Sequence, residues 1–115
     1  MDVEKIQQKL RDFSEERDWE QFHSPKNLSM ALSVEVAELV EIFQWSQSGG
    51  LDEIADPNTR KEIEEEVADV FNYVLKIADL LDMDLEKAAL AKIKKNAKKY
   101  PVEASRGKSI KYDQL

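Results

Sequence analysis

An all-α fold of four helices in a bundle is predicted by three features of this 115-residue chain. Apolar residues recur at spacings of three and four, and no stretch of useful length alternates with the period of two that a half-buried strand requires. Helix starts are marked at Ser24-Pro25, Asp56-Pro57 and Asp84. There is no internal repeat and no low-complexity tract. The first helix spans residues 2–17, with Val3, Ile6, Leu10 and Phe13 forming its apolar stripe. An aromatic-rich connector, Asp18 to Ser24, follows. Ser24 caps the second helix and Pro25 takes its first position, where a missing N–H costs nothing; this helix is expected to run to about Trp45. Gln47-Ser-Gly-Gly breaks it, and Leu51 to Asp56 can form a brief helical turn. The third helix runs from Pro57 or Asn58 to about Leu81. Asp84 caps a fourth that extends through Lys99 and is stopped by Pro101. Residues 1–100 thus form one domain, and residues 101–115 a polar tail that is either mobile or lies over another surface.

Four carboxylates conflict with this apolar pattern. Residues 28–45 carry apolar side chains nearly all round the helix, as in a segment covered on most sides, yet Glu35, Glu38 and Glu41 interrupt them. On the third helix Ile63, Val67, Val70, Val74, Ile77 and Leu81 make an unbroken stripe, with Glu66 and Asp69 flanking it. The i, i+3 spacing puts Glu35 with Glu38, and Glu66 with Asp69, on one face of their helices. For any single pair a solvated acidic face is the plain alternative. Beside a core seam, like charges repel unless protonated or bridged by cations. Oxygen-only ligands on separate helices suit Mg²⁺ or Mn²⁺, which keep waters and draw other ligands from substrate phosphates. In helix bundles such sites are built from inward side chains on facing helices.

Composition narrows the function classes. The formal net charge of −7 argues against a duplex nucleic-acid binder. Residues 1–86 hold 8 basic against 22 acidic side chains, and residues 87–115 hold 9 against 2, a basic end on an acidic body. Those basic residues can hold phosphates beside metal-loaded carboxylates, or neutralise acidic helices of the same or a neighbouring subunit. The absence of cysteine removes disulfides, thiolate catalysis and thiolate-bound zinc. No signal-like segment and no membrane-length apolar run is visible, so a cytoplasmic protein without membrane attachment is expected. At this size the core is small, which favours self-association.

Other constellations are incomplete or lack a signature. Glu20 to His23 spells E-x-x-H, but di-iron carboxylate bundles need two such motifs and this chain has one histidine. Neither a Walker loop nor a dinucleotide glycine fingerprint is present, and no nucleophile signature supports a Ser/His/Asp triad. Trp19, Phe22, Trp45 and Tyr73 are each ordinary core candidates. Together, near metal-bound phosphates, they offer faces on which a nucleobase can stack. Lys92, Asn96 and Tyr100 share a face of the fourth helix and can read phosphate and sugar.

These residues resemble the MazG-like all-α nucleotide pyrophosphohydrolases, and within them the dCTP pyrophosphatase branch. The likeness rests on residues 17–28 (Arg-Asp-Trp-Glu-Gln-Phe-His-Ser-Pro-Lys-Asn-Leu), 31–45 with the E-x-x-E pair and Phe-Gln-Trp, 65–70 with E-x-x-D, and Lys92 through Tyr100-Pro101. The resemblance covers residues 10–113. It implies a four-helix MazG-like bundle assembled as a dimer or a dimer of dimers, up to a homotetramer, with pockets lined by more than one subunit. It implies hydrolysis of a nucleoside triphosphate between the α and β phosphates with Mg²⁺, dCTP or a modified dCTP being the substrate class, in nucleotide-pool housecleaning. By the same carry-over Glu35, Glu38, Glu66 and Asp69 bind metal, and Glu35 or Glu38 accepts the proton of the attacking water. Trp19, Glu20, Gln21, Phe22, His23, Trp45 and Tyr73 contact the nucleotide, and Lys92, Asn96 and Tyr100 complete the site. One position departs: Leu10 stands where some members of the branch carry a histidine near the base. The competing readings are a non-catalytic helical oligomer held by its opposite charges, and the same fold with another nucleotide preference.

Overall fold

The structure, a computed structural model, describes residues 1–115 and is all-helical: α1 Val3–Glu16, α2 Pro25–Ile42, α3 Pro57–Leu80, α4 Leu85–Lys99 and α5 Val102–Ser105, with short 3₁₀ turns at Glu20–Phe22 and Tyr112–Gln114. None of the helices is long and apolar enough to cross a membrane. The starts follow the local chemistry of the chain. Asp2, Ser24, Asp56 and Asp84 each accept a backbone N–H three residues on, and prolines stand at the first position of α2 and α3. α1 ends in a Schellman motif, with Trp19 N–H bonded to Ser14 O and Asp18 N–H to Glu15 O. Asp18 occupies the left-handed position there, at φ 52°, where an Asp side chain is better tolerated than most.

α2 is shorter than the periodicity predicts. It stops at Ile42, and Phe43, Gln44 and Ser46 donate instead to carbonyls three residues back. This tightening leaves Trp45 beyond the helix in a turn rather than on its face.

Internal contacts divide the chain into Met1–Leu81 and Asp82–Leu115. In the first unit, Gln7 Nε2 donates to the Leu75 carbonyl and Arg11 reaches Asp79 at 2.7 Å, so α1 ascends alongside α3 in the same direction. Leu28 shares a cleft wall with Leu75 while Glu35 faces Glu66, so α2 runs antiparallel to α3. The core is narrow: Leu28, Leu75 and Ala78 are its buried apolar residues, with Gln7 and Ser14 buried beside them. The near-complete cover expected around α2 is absent within the single chain. Met30, Val34 and Val40 are 56, 55 and 63% exposed, because α1 and α3 are too few neighbours for a helix that is apolar on all sides.

The loop after Trp45 is organised by one carboxylate. Glu53 accepts from the Ser46 hydroxyl and from the N–H groups of Gln47 and Ser48, and Ser46 Oγ in turn accepts from Gly49 N–H at 2.9 Å. Gly49, at φ 65°, turns the chain there. The Ser46 hydroxyl first, then the Ser48 N–H, hold the Glu53 carboxyl down at about 2. A depressed acid supports the fold above its ordinary pKa and loses that support as pH falls through the folded value. The 46–53 loop is therefore expected to remain ordered above about pH 5 and to open between pH 4 and 2. Amide exchange at Gln47 and Ser48 reads this directly, and Glu53→Ala should show the opened exchange rate at every pH.

In the second unit, α4 has the boundaries expected from Asp84 and Pro101. The segment beyond it is not featureless. Tyr112 meets Tyr100 edge-on, ring centroids 6.2 Å apart, and Lys99 Nζ lies 4.9 Å from the Tyr112 ring centroid. Residues 101–115 thus fold back on the end of α4.

Candidate active site

Because α2 and α3 are antiparallel, one turn of each places acidic side chains opposite the other. Carboxylate oxygens of Glu35, Glu38 and Glu66 lie within 4.8 Å of one another. Asp69 lies outside this group but acts on Glu35 and Glu66 through its charge. Glu38 and Asp69 are exposed, whereas Glu35 and Glu66 are partly covered. Oε2 of both Glu35 and Glu66 is shut off from solvent with no hydrogen-bond partner. A buried acceptor without a donor is costly, and a divalent cation is the partner that a cluster of oxygen ligands suits. The donor set therefore fits a metal ion.

The electrostatics agree. Burial first, then the adjacent Glu38 carboxylate, then the charges of Asp69 and Glu66 push the Glu35 carboxyl up to about 7. Burial, then Glu38 and Asp69, raise Glu66 as well. A carboxyl whose pKa is raised on folding retains a proton that the unfolded chain releases, so stability falls as pH rises from the ordinary carboxylate range toward 7. With chelator present, the melting temperature is expected to decline between pH 5 and 7.5, measured by circular dichroism. Mg²⁺ should recover the loss at pH 8 and have little effect at pH 5, where protons compete for the oxygens.

The other sequence-predicted residues are distributed unevenly. Tyr73, one turn beyond Asp69, has its phenol pKa raised by burial and then by the charges of Glu35 and Asp69, so it adjoins the carboxylates. Glu20 and His23 line a cleft of about 420 Å³ between α1, the connector and α3, with Leu10, Leu28 and Leu75 among its apolar walls. Trp19 packs edge-on against Phe13 at 5.8 Å and Gln21 bonds back to Asp18, so both brace the connector. Phe22 is 57% and Trp45 86% exposed, and neither lines the cleft. Lys92, Asn96 and Tyr100 belong to the second unit and are exposed on α4 and its end.

Three residues that no motif singled out shape the connector and the cleft. Asn27 ties the connector down through Nδ2 to the Phe22 carbonyl. Gln7, buried against the Leu75 carbonyl, and Lys76 line the cleft. Asp69, Tyr73 and Lys76 stand at i, i+4 and i+7 on α3, and that shared face was the available signal for Lys76.

The profile of the MazG-like family matches residues 30–115, the span holding all four acids. The chain belongs to the MazG-like family. Relatives in two mammals are similar along nearly its whole length. Over 114 residues it is 41% identical to dCTP pyrophosphatase 1 of Rattus norvegicus and 40% identical to that of Homo sapiens. Each alignment takes in 98% of this chain and 67% of the relative. Among solved structures, a pyrophosphatase from Archaeoglobus fulgidus superimposes with a TM-score of 0.76 at 41% identity, covering 85% of this chain and 91% of that one. The all-helical architecture is thus that of a MazG-like protein.

Proposed function

We propose that this chain is a nucleotide pyrophosphohydrolase that converts a nucleoside triphosphate and water into the monophosphate and pyrophosphate, with dCTP or a modified dCTP as preferred substrate. The carrying observation is the opposed acidic cluster of α2 and α3, with unpartnered buried oxygens on Glu35 and Glu66, in a chain 40–41% identical to dCTP pyrophosphatases.

In this reading Glu35, Glu38, Glu66 and Asp69 hold Mg²⁺, with Mn²⁺ as a substitute. A cation held there would supply charge neutralisation for the triphosphate and the departing pyrophosphate. Water oxygen bonds to the α-phosphorus while the bond from that phosphorus to the α–β bridging oxygen breaks, and pyrophosphate leaves with the bond's electron pair. The water's proton passes to a carboxylate, Glu35 or Glu38. Glu20, His23 and Tyr73 lie along the cleft and its approach from the acids, where the nucleoside is held. Trp19, Gln21, Phe22 and Trp45, and Lys92, Asn96 and Tyr100 of the second unit, are kept as substrate contacts on the strength of the family resemblance. Exposed Met30, Val34 and Val40 support assembly as a homodimer or dimer of dimers. A cytoplasmic role in clearing the nucleotide pool goes with this activity.

The test is incubation of the purified protein with each dNTP and Mg²⁺, beside an EDTA control, with products separated by anion exchange. Monophosphate and pyrophosphate that disappear with EDTA are expected, dCTP leading. Diphosphate and phosphate would mean another bond is cut, and no turnover of any natural or modified dNTP would favour the non-catalytic oligomer.

A further inference from the structure

Lys76 is the one cation of the cleft without an acid partner. It is half-buried on α3, and the nearest acid along the helix, Asp79, is already held by Arg11 at 2.7 Å. Its ammonium lies 5.1 Å from the Tyr73 ring centroid, and Tyr73 in turn adjoins Glu35 and Asp69. Lys76 also faces His23 across the cleft, since its charge is among the causes that lower the histidine's pKa, after burial. Burial lowers the pKa of the ammonium as well. A desolvated ammonium offers three donors and no acceptor, and is costly until an acceptor meets it.

Position defines what that acceptor is. None of Glu35, Glu38, Glu66 and Asp69 lines the cleft that Lys76 lines, and Asp69 lies seven residues, about 10 Å along the helix axis, before Lys76, so a nucleotide with its phosphates at the carboxylates and its base in the cleft brings the base to Lys76. The neighbouring walls, Leu10, Leu28 and Leu75, suit the faces of a flat ring. A base offers a lone donor its carbonyl oxygens. Every pyrimidine carries one beside the glycosidic bond, whereas adenine has none and offers only ring nitrogens, set differently on a larger ring.

Resting on the hydrolase reading, we propose that Lys76 is a specificity-determining residue that donates a hydrogen bond to a ring carbonyl oxygen of the nucleobase, favouring pyrimidine nucleotides over adenine nucleotides.

The test compares wild type, Lys76→Met and Lys76→Arg on dCTP, dTTP and dATP with Mg²⁺, reading kcat and KM separately, and in parallel measures Kd by calorimetry with Ca²⁺ in place of Mg²⁺. The methionine fills the same space without a donor. It is expected to raise KM and Kd for dCTP and dTTP at least tenfold, to change those for dATP less than threefold, and to leave kcat within threefold, with arginine restoring most of the preference. Equal losses on all three nucleotides would assign Lys76 to phosphate and overturn the proposal, as would no change on any. If the wild type binds nucleotides but releases no pyrophosphate, the hydrolase reading fails while the Kd ratios still decide Lys76. If it binds none in the presence of a divalent ion, both fail.

Discussion

Glu38→Gln is expected to lower kcat/KM for the preferred nucleotide by about a thousandfold or more, some 4 kcal/mol of transition-state stabilisation. Glutamine keeps the size of the side chain and one acceptor oxygen, so the loss isolates the charge. Glu38 is exposed, and its carboxylate is a destabilising neighbour of Glu35 and Glu66 in the metal-free chain. Removing that charge should therefore leave the helices intact and, with chelator present, raise the melting temperature slightly. The two effects have opposite signs. A residue that mattered only for folding would lose activity and stability together, whereas a metal ligand in a repelling cluster loses activity while the apo protein gains stability. Asp69→Asn is expected to behave in the same direction. Pyrophosphate release and a thermal melt, each with and without Mg²⁺, suffice. Near-normal turnover with an unchanged circular dichroism spectrum would remove these residues from the mechanism.

Leu75→Ala is expected to cost roughly 3 kcal/mol of stability, the middle of the range for deleting a buried leucine, and to lower the melting temperature by about 10–15 °C. Leu75 is the only large side chain with no exposed surface, and it stands where α1, α2 and α3 meet. Its backbone carbonyl also accepts the buried Gln7 amide, a bond the substitution leaves in place. The loss is thus of packing alone. The core has only Leu28 and Ala78 as further buried apolar members, so few neighbours can move in to fill the space. Since Leu75 also floors the cleft, the variant should bind nucleotide more weakly at temperatures where it is still folded. A chemical melt followed by circular dichroism measures the first effect and calorimetry the second. A stability loss below about 1 kcal/mol would show that the cleft collapses onto the gap.

Helix starts were legible in the sequence because capping is local. Ser24, Asp56 and Asp84 bond to N–H groups three residues away, and no tertiary partner can supply or veto that. That the acids pair on shared faces was legible for a related reason: an i, i+3 spacing is a property of one helix. Helix ends were less so. α2 ends at Ile42 rather than near Trp45 because a helix without a glycine at its C-terminus can tighten over its last carbonyls in several ways. The Glu53 clamp was invisible, since its donors are backbone groups of a loop whose path no periodicity encodes.

By itself, then, the sequence determined the helical class, three capped starts, the acidic pairs and the family resemblance, all of which depend on short spacings or on matched motifs. Tertiary structure decided which acids meet. The antiparallel register of α2 and α3 brings Glu35, Glu38 and Glu66 within 4.8 Å and leaves Asp69 to act through its charge. Tertiary structure alone also made the cleft and set Glu20, His23 and Lys76 along it, while leaving Phe22 and Trp45 in solvent. The reason is physical: a spacing says which side chains share a face, and only packing says what that face meets.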